Sequence, residues 1–119
     1  MKGLKVVTCV YDFLKWAIPQ IGKFPRNQRY TLGSKIEEKL LRLLELLIEA
    51  QYSKEKTVIL KKANLEIEQL RYLFRLSNEL RLMNLKAYEL SARYLIEIGA
   101  QVGGWLKYQS LNEKTSSSL

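Results

Sequence analysis

The apolar residues of this chain recur every three or four positions in four successive stretches, and no stretch alternates apolar with polar residues. Such a period places the apolar side chains on one face of an α-helix. The pattern predicts four helices, over residues 5–22, 27–52, 54–82 and 85–109, within a single domain of residues 1–110. The polar residues 111–119 are expected to form a flexible tail.

Each predicted helix has an apolar face. The face of the first consists of Val6, Val10, Phe13, Leu14, Ala17 and Ile21. That of the second consists of Leu32, Ile36, Leu40, Leu43, Leu47 and Ala50, widened by Leu41, Leu44 and Ile48. The third has Leu60, Ala63, Ile67, Leu70 and Phe74, flanked by Leu65, Leu73 and Leu76, and the fourth has Tyr88, Ala92, Leu95, Gly99, Val102 and Leu106. Because wide faces need two neighbouring helices and the connections are short, we predict an all-α, up-down-up-down four-helix bundle.

The helix ends are predicted from proline and from capping residues. Pro19 lacks a backbone donor and is expected to kink or end the first helix near Ile18. Pro25 suits the first turn of the second helix. Ser53 and Asn84 are the expected N-caps of the third and fourth helices, because their side chains accept hydrogen bonds from uncapped backbone N–H groups.

The residue types argue against catalysis. The chain has no histidine and a single cysteine, which removes the commonest general base and metal ligand and any Cys-rich zinc site. Cys9 lies in an apolar run and is expected to pack as a small hydrophobe. Residues 99–104 are rich in glycine but lack the Gly-Lys-Ser/Thr ending of a phosphate-binding loop, so their glycines are expected to allow close helix approach. We predict no enzymatic activity, no metal and no cofactor.

The charge favours polyanionic partners. Lys and Arg outnumber Asp and Glu by 20 to 12, a net charge of +8, which suits nucleic acid better than a membrane surface. No acidic residue lies between Asp12 and Glu37, and this gap contains a group of basic residues, namely Lys23, Arg26 and Arg29, followed by Lys35 and Lys39. They indicate a phosphate-binding end of the bundle, although an ordinary solvated loop would have the same composition.

A second basic group is expected on the third helix. Arg71 and Arg75 are four residues apart and therefore share one helix face. They border the apolar seam, so their guanidinium groups are candidates for partner contact in a groove or subunit interface. Glu68 and Glu79 lie within helical reach, and structural ion pairing is the alternative that the sequence leaves open.

The aromatic residues suggest self-association. Trp and Tyr are common at protein interfaces, and Trp105 and Tyr108 lie near the end of the fourth helix beside two glycines. These two residues are our candidates for an oligomer interface. The alternative is that they close one end of a monomeric core.

The location is predicted to be cytoplasmic, without membrane association. The apolar N-terminal run is interrupted by Tyr11, Asp12 and Lys15, and no signal-peptide cleavage site follows. No stretch is long and uncharged enough to span a bilayer. A membrane-surface role for the amphipathic residues 1–24 is a weaker alternative.

Five segments, in this order along the chain, resemble the accessory variability determinant (Avd) family of diversity-generating retroelements. The segments are Phe24–Arg26, Gln28–Gly33, Leu43–Ala50, Arg71–Leu76 and Ile98–Trp105. Each is weak alone, but the ordered set spans the chain from about Tyr11 to Tyr108. Bundle proteins encoded within ribosomal-RNA intervening sequences share this fold and are the alternative family.

The resemblance implies a four-helix bundle that assembles into a basic, barrel-like homopentamer. Members bind the reverse transcriptase of the retroelement and its template RNA, with DNA as a further candidate, and support mutagenic cDNA synthesis without catalytic residues of their own. The positions matching the family's basic loop and basic third helix are Lys23, Arg26, Arg29, Arg71 and Arg75. A structural homo-oligomer with no nucleic-acid role is the remaining alternative.

Overall fold

The computed structural model describes residues 3–117 and the side chains of residues 3–113. Helix α1 is Leu4–Gly22. Helix α2 covers residues 26–52 without interruption and consists of an α-helical turn, a π-helical turn and an α-helical body, which are Arg26–Gln28, Arg29–Gly33 and Ser34–Tyr52. Helices α3 and α4 are Lys56–Glu79 and Leu85–Ser117. Within residues 3–117 the structure has four helices and no strand, which confirms the predicted helical class.

The helices form a four-helix bundle with short connections. Helix α1 packs against α2 and α4, and α3 packs against the same two helices, so neighbours in sequence are also neighbours in space. The resulting body is elongated, with extents of 57 × 21 × 20 Å. The α1–α2 and α3–α4 connections lie at one end, and the α2–α3 connection lies at the other.

The core lies along the axis of the bundle. On α1 all six residues predicted to be buried are buried, and Phe13, Ala17 and Ile21 are fully so. On α2 the buried face includes Leu46, whereas Leu41 and Ile48 are 46% and 40% exposed. The proposed widening of the α2 face by those two residues is therefore wrong, because α3 covers the opposite flank of the helix. Leu65 and Leu76 of α3 are likewise exposed.

The buried face of α4 differs from the prediction by about one position. Leu95 and Val102 are buried as expected, but the remaining buried residues are Ser91, Ile98 and Trp105 rather than Ala92, Gly99 and Leu106. The two sets lie on adjacent faces of one helix. Both faces of α4 carry apolar residues, so the spacing of those residues could not show which face packs against the core.

Pro19 does not end α1, which was one of the two outcomes expected of it, the other being a kink. The helix continues through Pro19 to Gly22. Pro19 is on the exposed side of the helix, where the backbone carbonyl that loses its donor can be hydrated.

The predicted caps have different outcomes. The Asn84 side chain accepts a hydrogen bond from the backbone N–H of Ala87 at 2.8 Å, which confirms Asn84 as the cap of α4. Ser53 is not the N-cap of α3, because that helix begins at Lys56 and Ser53 Oγ accepts from Glu55 N at 3.0 Å in the preceding turn. Lys56 Nζ instead donates to the carbonyl of Ala50 at 2.6 Å and so caps the end of α2.

Helix α3 ends in a Schellman motif. Leu82 N donates to Ser77 O and Arg81 N donates to Asn78 O, both at 2.9 Å. Arg81 has a φ of 62°, the left-handed conformation that glycine usually adopts at this position. The motif satisfies the last carbonyls of α3 and turns the chain into α4.

Helix α4 is longer than predicted. We expected it to end near residue 109, with a tail over residues 111–119, but it remains helical to Ser117. Thr57 Oγ1 donates a hydrogen bond to Glu113 and links the start of α3 to this extension. The last two residues of the predicted tail lie outside the described residues.

Candidate nucleic-acid interface

The α1–α2 connection presents three cations at one end of the bundle. Lys23, Arg26 and Arg29 are all exposed. Phe24, between them, is 3% exposed and packs into the core, so it fixes the connection against the end of the bundle. We call residues 23–29 the basic loop. A buried aromatic residue in so short a connection holds the neighbouring cations outside the core.

Within residues 3–113 the basic loop has no acidic partner. Among the side chains of residues 3–113, none of the three cations has a carboxylate within 4.0 Å. The guanidinium of Arg26 lies 5.9 Å from the centre of the Tyr30 ring, and Arg29 Nη1 lies 3.5 Å from the carbonyl oxygen of Gly22. Both interactions leave the positive charge in place, so the loop attracts anions.

The first turn of α2 adds backbone donors to this surface. No side chain caps the N-terminus of α2 at Pro25. The first backbone N–H groups of α2 therefore have no partner within the helix and lie beside the cations. The π-helical turn that follows brings Gly33 against α1, where a Cβ on Gly33 would lie 2.8 Å from Ile21 Cγ2. This turn was not predicted, and it packs the start of α2 closely on α1.

Lys35 and Lys39, which we grouped with the loop, do not belong to it. Lys35 pairs with Glu38 at 3.6 Å. Lys39 Nζ reaches α3, where it lies 3.4 Å from Glu66 Oε2 and 2.6 Å from Gln69 Oε1. Lys39 therefore connects two helices and is not available to bind phosphate.

Arg71 and Arg75 lie on one face of α3, as predicted, and each has an acidic neighbour. Arg75 Nε donates to Glu79 Oε1 at 3.0 Å, and this hydrogen bond raises the pKa of Arg75. Arg71 Nε is 3.2 Å from Glu68 Oε1 without the alignment of a hydrogen bond, and that buried nitrogen has no other acceptor among the described residues. The ion pairing that the sequence left open is thus present, but it is imperfect at Arg71.

Both arginines line a cleft between α3 and α4 with a volume of about 280 Å³. We call it the α3–α4 cleft. Its lining residues are Glu68, Arg71, Tyr72, Phe74, Arg75, Tyr88, Ser91, Ala92, Leu95 and Ile96. Both guanidinium groups were expected in a groove or subunit interface, but Tyr88 and Ala92 were assigned to the core, so the α4 side of the cleft was missed. The small residues Ser91 and Ala92 beside Phe74 were the available signal, since they leave room between the helices.

Gly99 positions the Arg71 side chain. A Cβ on Gly99 would lie 3.0 Å from Arg71 Nη2, so the guanidinium rests directly on the backbone of α4. This is the close approach expected of the glycine-rich stretch. Gly103 and Gly104 have no such neighbour among the described residues within 4 Å, so within this chain the expectation holds at Gly99 alone.

The two basic groups belong to different pairs of helices. The basic loop joins α1 to α2, whereas Arg71 and Arg75 open between α3 and α4. A ligand that used both would have to extend around the end of the bundle. Because a polyanion is long, this separation is compatible with binding to both groups.

A model of the bAvd-like family matches residues 5–109 of the chain. The chain belongs to the bAvd-like family. The match covers all of α2 and α3 and most of α1 and α4, including the basic loop and both arginines of the cleft. No curated protein and no solved structure matches the chain.

In this bAvd-like bundle the two residues expected at an oligomer interface have different environments. Trp105 is 2% exposed and packs on Gly3, where a Cβ would lie within van der Waals overlap of its ring. The ring is therefore inside the chain and leaves almost no surface for another subunit. Gly3 has a φ of 96° and needs to be glycine for both reasons. Tyr108 is 46% exposed, and its interface role stays a prediction.

The bAvd-like chain shows no metal site and no membrane-spanning helix in its described part. Residues 3–117 contain no group of three or more Cys, Asp or Glu side chains arranged to hold a metal ion. None of the described helices is long and apolar enough to cross a bilayer.

Cys9 is expected to react slowly with alkylating agents. Its partial burial and the negative charges of Glu97 and Asp12 raise the pKa of Cys9 from 9.0 to about 11. Since the thiolate is the nucleophile, alkylation by iodoacetamide at pH 8 should be about 100-fold slower in the folded protein than in urea. Glu97→Gln should increase the folded rate. Equal alkylation rates in the folded and unfolded protein would show that folding does not raise the pKa of Cys9.

Proposed function

We propose that this chain is a non-catalytic, nucleic-acid-binding accessory subunit of a diversity-generating retroelement. In this role it associates with the reverse transcriptase and the template RNA in the cytoplasm and supports mutagenic cDNA synthesis. Membership of the bAvd-like family supports the accessory role. The net charge of +8 supports a polyanionic partner.

The observation that carries the proposal is the basic loop. Three exposed cations lie beside uncapped backbone N–H groups, and within residues 3–113 no carboxylate is close enough to neutralise them. This combination of fixed positive charge and backbone donors suits phosphate groups. Lys23, Arg26 and Arg29 are thus the primary proposed binding residues, and Arg71 and Arg75 are secondary because Glu68 and Glu79 compete for them.

The exposed apolar residues of α1 and α2 support self-association. Tyr11, Ile18, Leu41 and Ile48 are between 40% and 55% exposed and lie outside the core. Burial of such residues between subunits would be favourable. We propose assembly into a homopentamer, as the resemblance implies. A structural homo-oligomer without a nucleic-acid role would bury the same residues, and the experiment below separates the two functions.

The test measures RNA binding by fluorescence anisotropy at several salt concentrations. The variant Lys23→Gln/Arg26→Gln/Arg29→Gln is expected to bind a single-stranded RNA about 10- to 100-fold more weakly than the wild type near 0.1 M salt. The dependence of log K on log salt should become shallower by about 0.7 for each phosphate that the variant no longer neutralises. When the tagged reverse transcriptase is purified together with this variant, less RNA should be recovered than with the wild type.

A matched control carries the same loss of charge elsewhere. Lys54, Lys61 and Lys62 are exposed and lie at or near the opposite end of the bundle, so their triple replacement by glutamine should weaken binding only about threefold or less. Equal weakening by the two variants would mean that net charge, and not the basic loop, governs binding. A stable oligomer with no affinity for RNA even at low salt would favour the structural role.

A further inference from the structure

The α3–α4 cleft combines an apolar floor with a polar rim. Phe74, Leu95 and Ser91 are at most 1% exposed and form the floor. The Ser91 hydroxyl donates to the backbone carbonyl of Tyr88 at 2.6 Å, so its proton is used within α4. A ligand group that enters the cleft must therefore have an apolar face, because the floor offers it no further donor.

The rim is close to electrically neutral and offers both donors and acceptors. The guanidinium groups of Arg71 and Arg75 each pair with a carboxylate, Arg71 with Glu68, which also lines the cleft, and Arg75 with Glu79, which lies outside the lining. A phosphate group inside the cleft would have to displace a carboxylate. An uncharged group with donors and acceptors on its edge would not, since it could bond to both kinds of rim residue.

One donor of the rim is unsatisfied. Arg71 Nε is buried and lacks an aligned acceptor among the described residues, and the Arg71 guanidinium is held against Gly99. A buried donor without an acceptor is costly, which favours a ligand that supplies one. Both exposed arginine–carboxylate pairs are weak enough to rearrange around that ligand.

Two tyrosines lie beside the same opening. Tyr72 is 70% exposed although it lines the cleft, and Tyr88 is half-buried opposite it on α4. An exposed tyrosine at a cleft offers a flat apolar face on which a planar ring can stack. The bases of a nucleic acid are uncharged planar rings with polar edges, on a polyanionic backbone.

We propose that the α3–α4 cleft holds one unpaired base of a single-stranded nucleic acid. This inference rests on the proposed function and adds a preference for single strands over duplexes. A base within a duplex is already stacked and paired, so it cannot enter a cleft between helices. The cleft volume of about 280 Å³ is just below the usual range of small-molecule sites, which suits a single base and nothing larger. The Arg75 side chain is 61% exposed, so its terminal nitrogens lie outside the cleft and can bind the phosphates on either side of the bound base.

The test compares three fluorescent probes of equal length, which are an unstructured RNA strand, a blunt RNA duplex and an abasic strand with the same phosphates. The wild type should bind the intact strand at least about tenfold more tightly than the abasic strand, since stacking of one base contributes this much. Equal affinity for the intact and abasic strands would overturn the inference.

Two variants locate the effect. Ala92→Leu fills the cleft without a change of charge and should lower affinity for the intact strand about tenfold, with no effect on the duplex. Ala100→Leu, on the exposed side of the same helix, is its control. Tyr72→Ala changes a surface residue, so it should not affect folding, and it should weaken binding of the intact strand by a similar factor. Its control is Tyr52→Ala, because Tyr52 is 80% exposed and lies away from the cleft, so this variant should bind as the wild type does.

The outcomes distinguish this inference from the function on which it rests. If all probes bind through the basic loop but Ala92→Leu and Tyr72→Ala bind the intact strand as the wild type does, the cleft is not a base site and the accessory role stands. If no probe binds at low salt, both proposals are overturned.

Discussion

Replacement of Phe13 by alanine is expected to lower the free energy of unfolding by about 3–5 kcal/mol. Phe13 is fully buried, and its ring centre lies 4.7 Å from that of Tyr94 and 5.5 Å from that of Phe74. The ring therefore joins α1 to α3 and α4 at once. Its removal leaves a cavity that three helices would have to close. Urea unfolding followed by circular dichroism measures the change.

Two controls make the Phe13 result specific. Phe13→Leu keeps most of the volume and should cost less than Phe13→Ala, so the difference reports the cavity. Tyr52→Ala removes a ring that is 80% exposed and should change stability by no more than about 0.5 kcal/mol. All variants should be compared at one protein concentration, because self-association would raise apparent stability. A destabilisation below about 1 kcal/mol for Phe13→Ala would show that the aromatic cluster does not hold the helices together.

Replacement of Glu66 by leucine is expected to cost about 1–3 kcal/mol. Lys39 and Glu66 face each other across α2 and α3, with side chains only 21% and 20% exposed. Removal of the carboxylate leaves the Lys39 ammonium with Gln69 as its main acceptor. The cost should be below the roughly 3–5 kcal/mol of a fully buried pair, because water still reaches both groups.

The double variant Lys39→Met/Glu66→Leu should be within about 1 kcal/mol of the wild type, since apolar side chains of similar volume can replace a buried pair. Thermal and urea unfolding of the two single variants and the double variant would give the coupling energy. The exposed pair of Lys35 and Glu38 is the control, and Glu38→Gln should cost no more than about 0.5 kcal/mol. Additive destabilisation in the double variant would show that the two side chains do not interact.

Helix number and the core of α1 were predictable because six apolar residues of α1 form one unbroken series at three- and four-residue spacing, and the exposed Tyr11 and Ile18 lie outside that series. All six of them are buried, from Val6 to Ile21. On α2 and α4 apolar residues occupy more than one face, so period alone could not separate buried Leu46 from exposed Leu41. Which flank is covered depends on the position of the neighbouring helix, and that information is not local.

The candidate site was predictable in part. The absence of acidic residues around the basic loop can be seen in the sequence, and in the structure these cations do lack acidic partners within residues 3–113. The interaction of Lys39 with Glu66 joins residues 27 positions apart and has no sequence signal. The arginine side of the α3–α4 cleft was expected as a groove, but its α4 side was not, because Ser91 and Ala92 leave room only where they face α3. Trp105 was misplaced because its partner, Gly3, lies at the far end of the chain.

The shape of the bundle has a consequence for how many partners it can hold. The protein is 57 Å long and about 20 Å across, in the proportions of a short rod, with the basic loop at one tip and the α2–α3 connection at the other. Ligands bound at opposite tips would be separated by most of this length. Under the proposed function, a strand bound at the basic loop would therefore leave the opposite tip accessible to a second protein, and the two could bind at the same time.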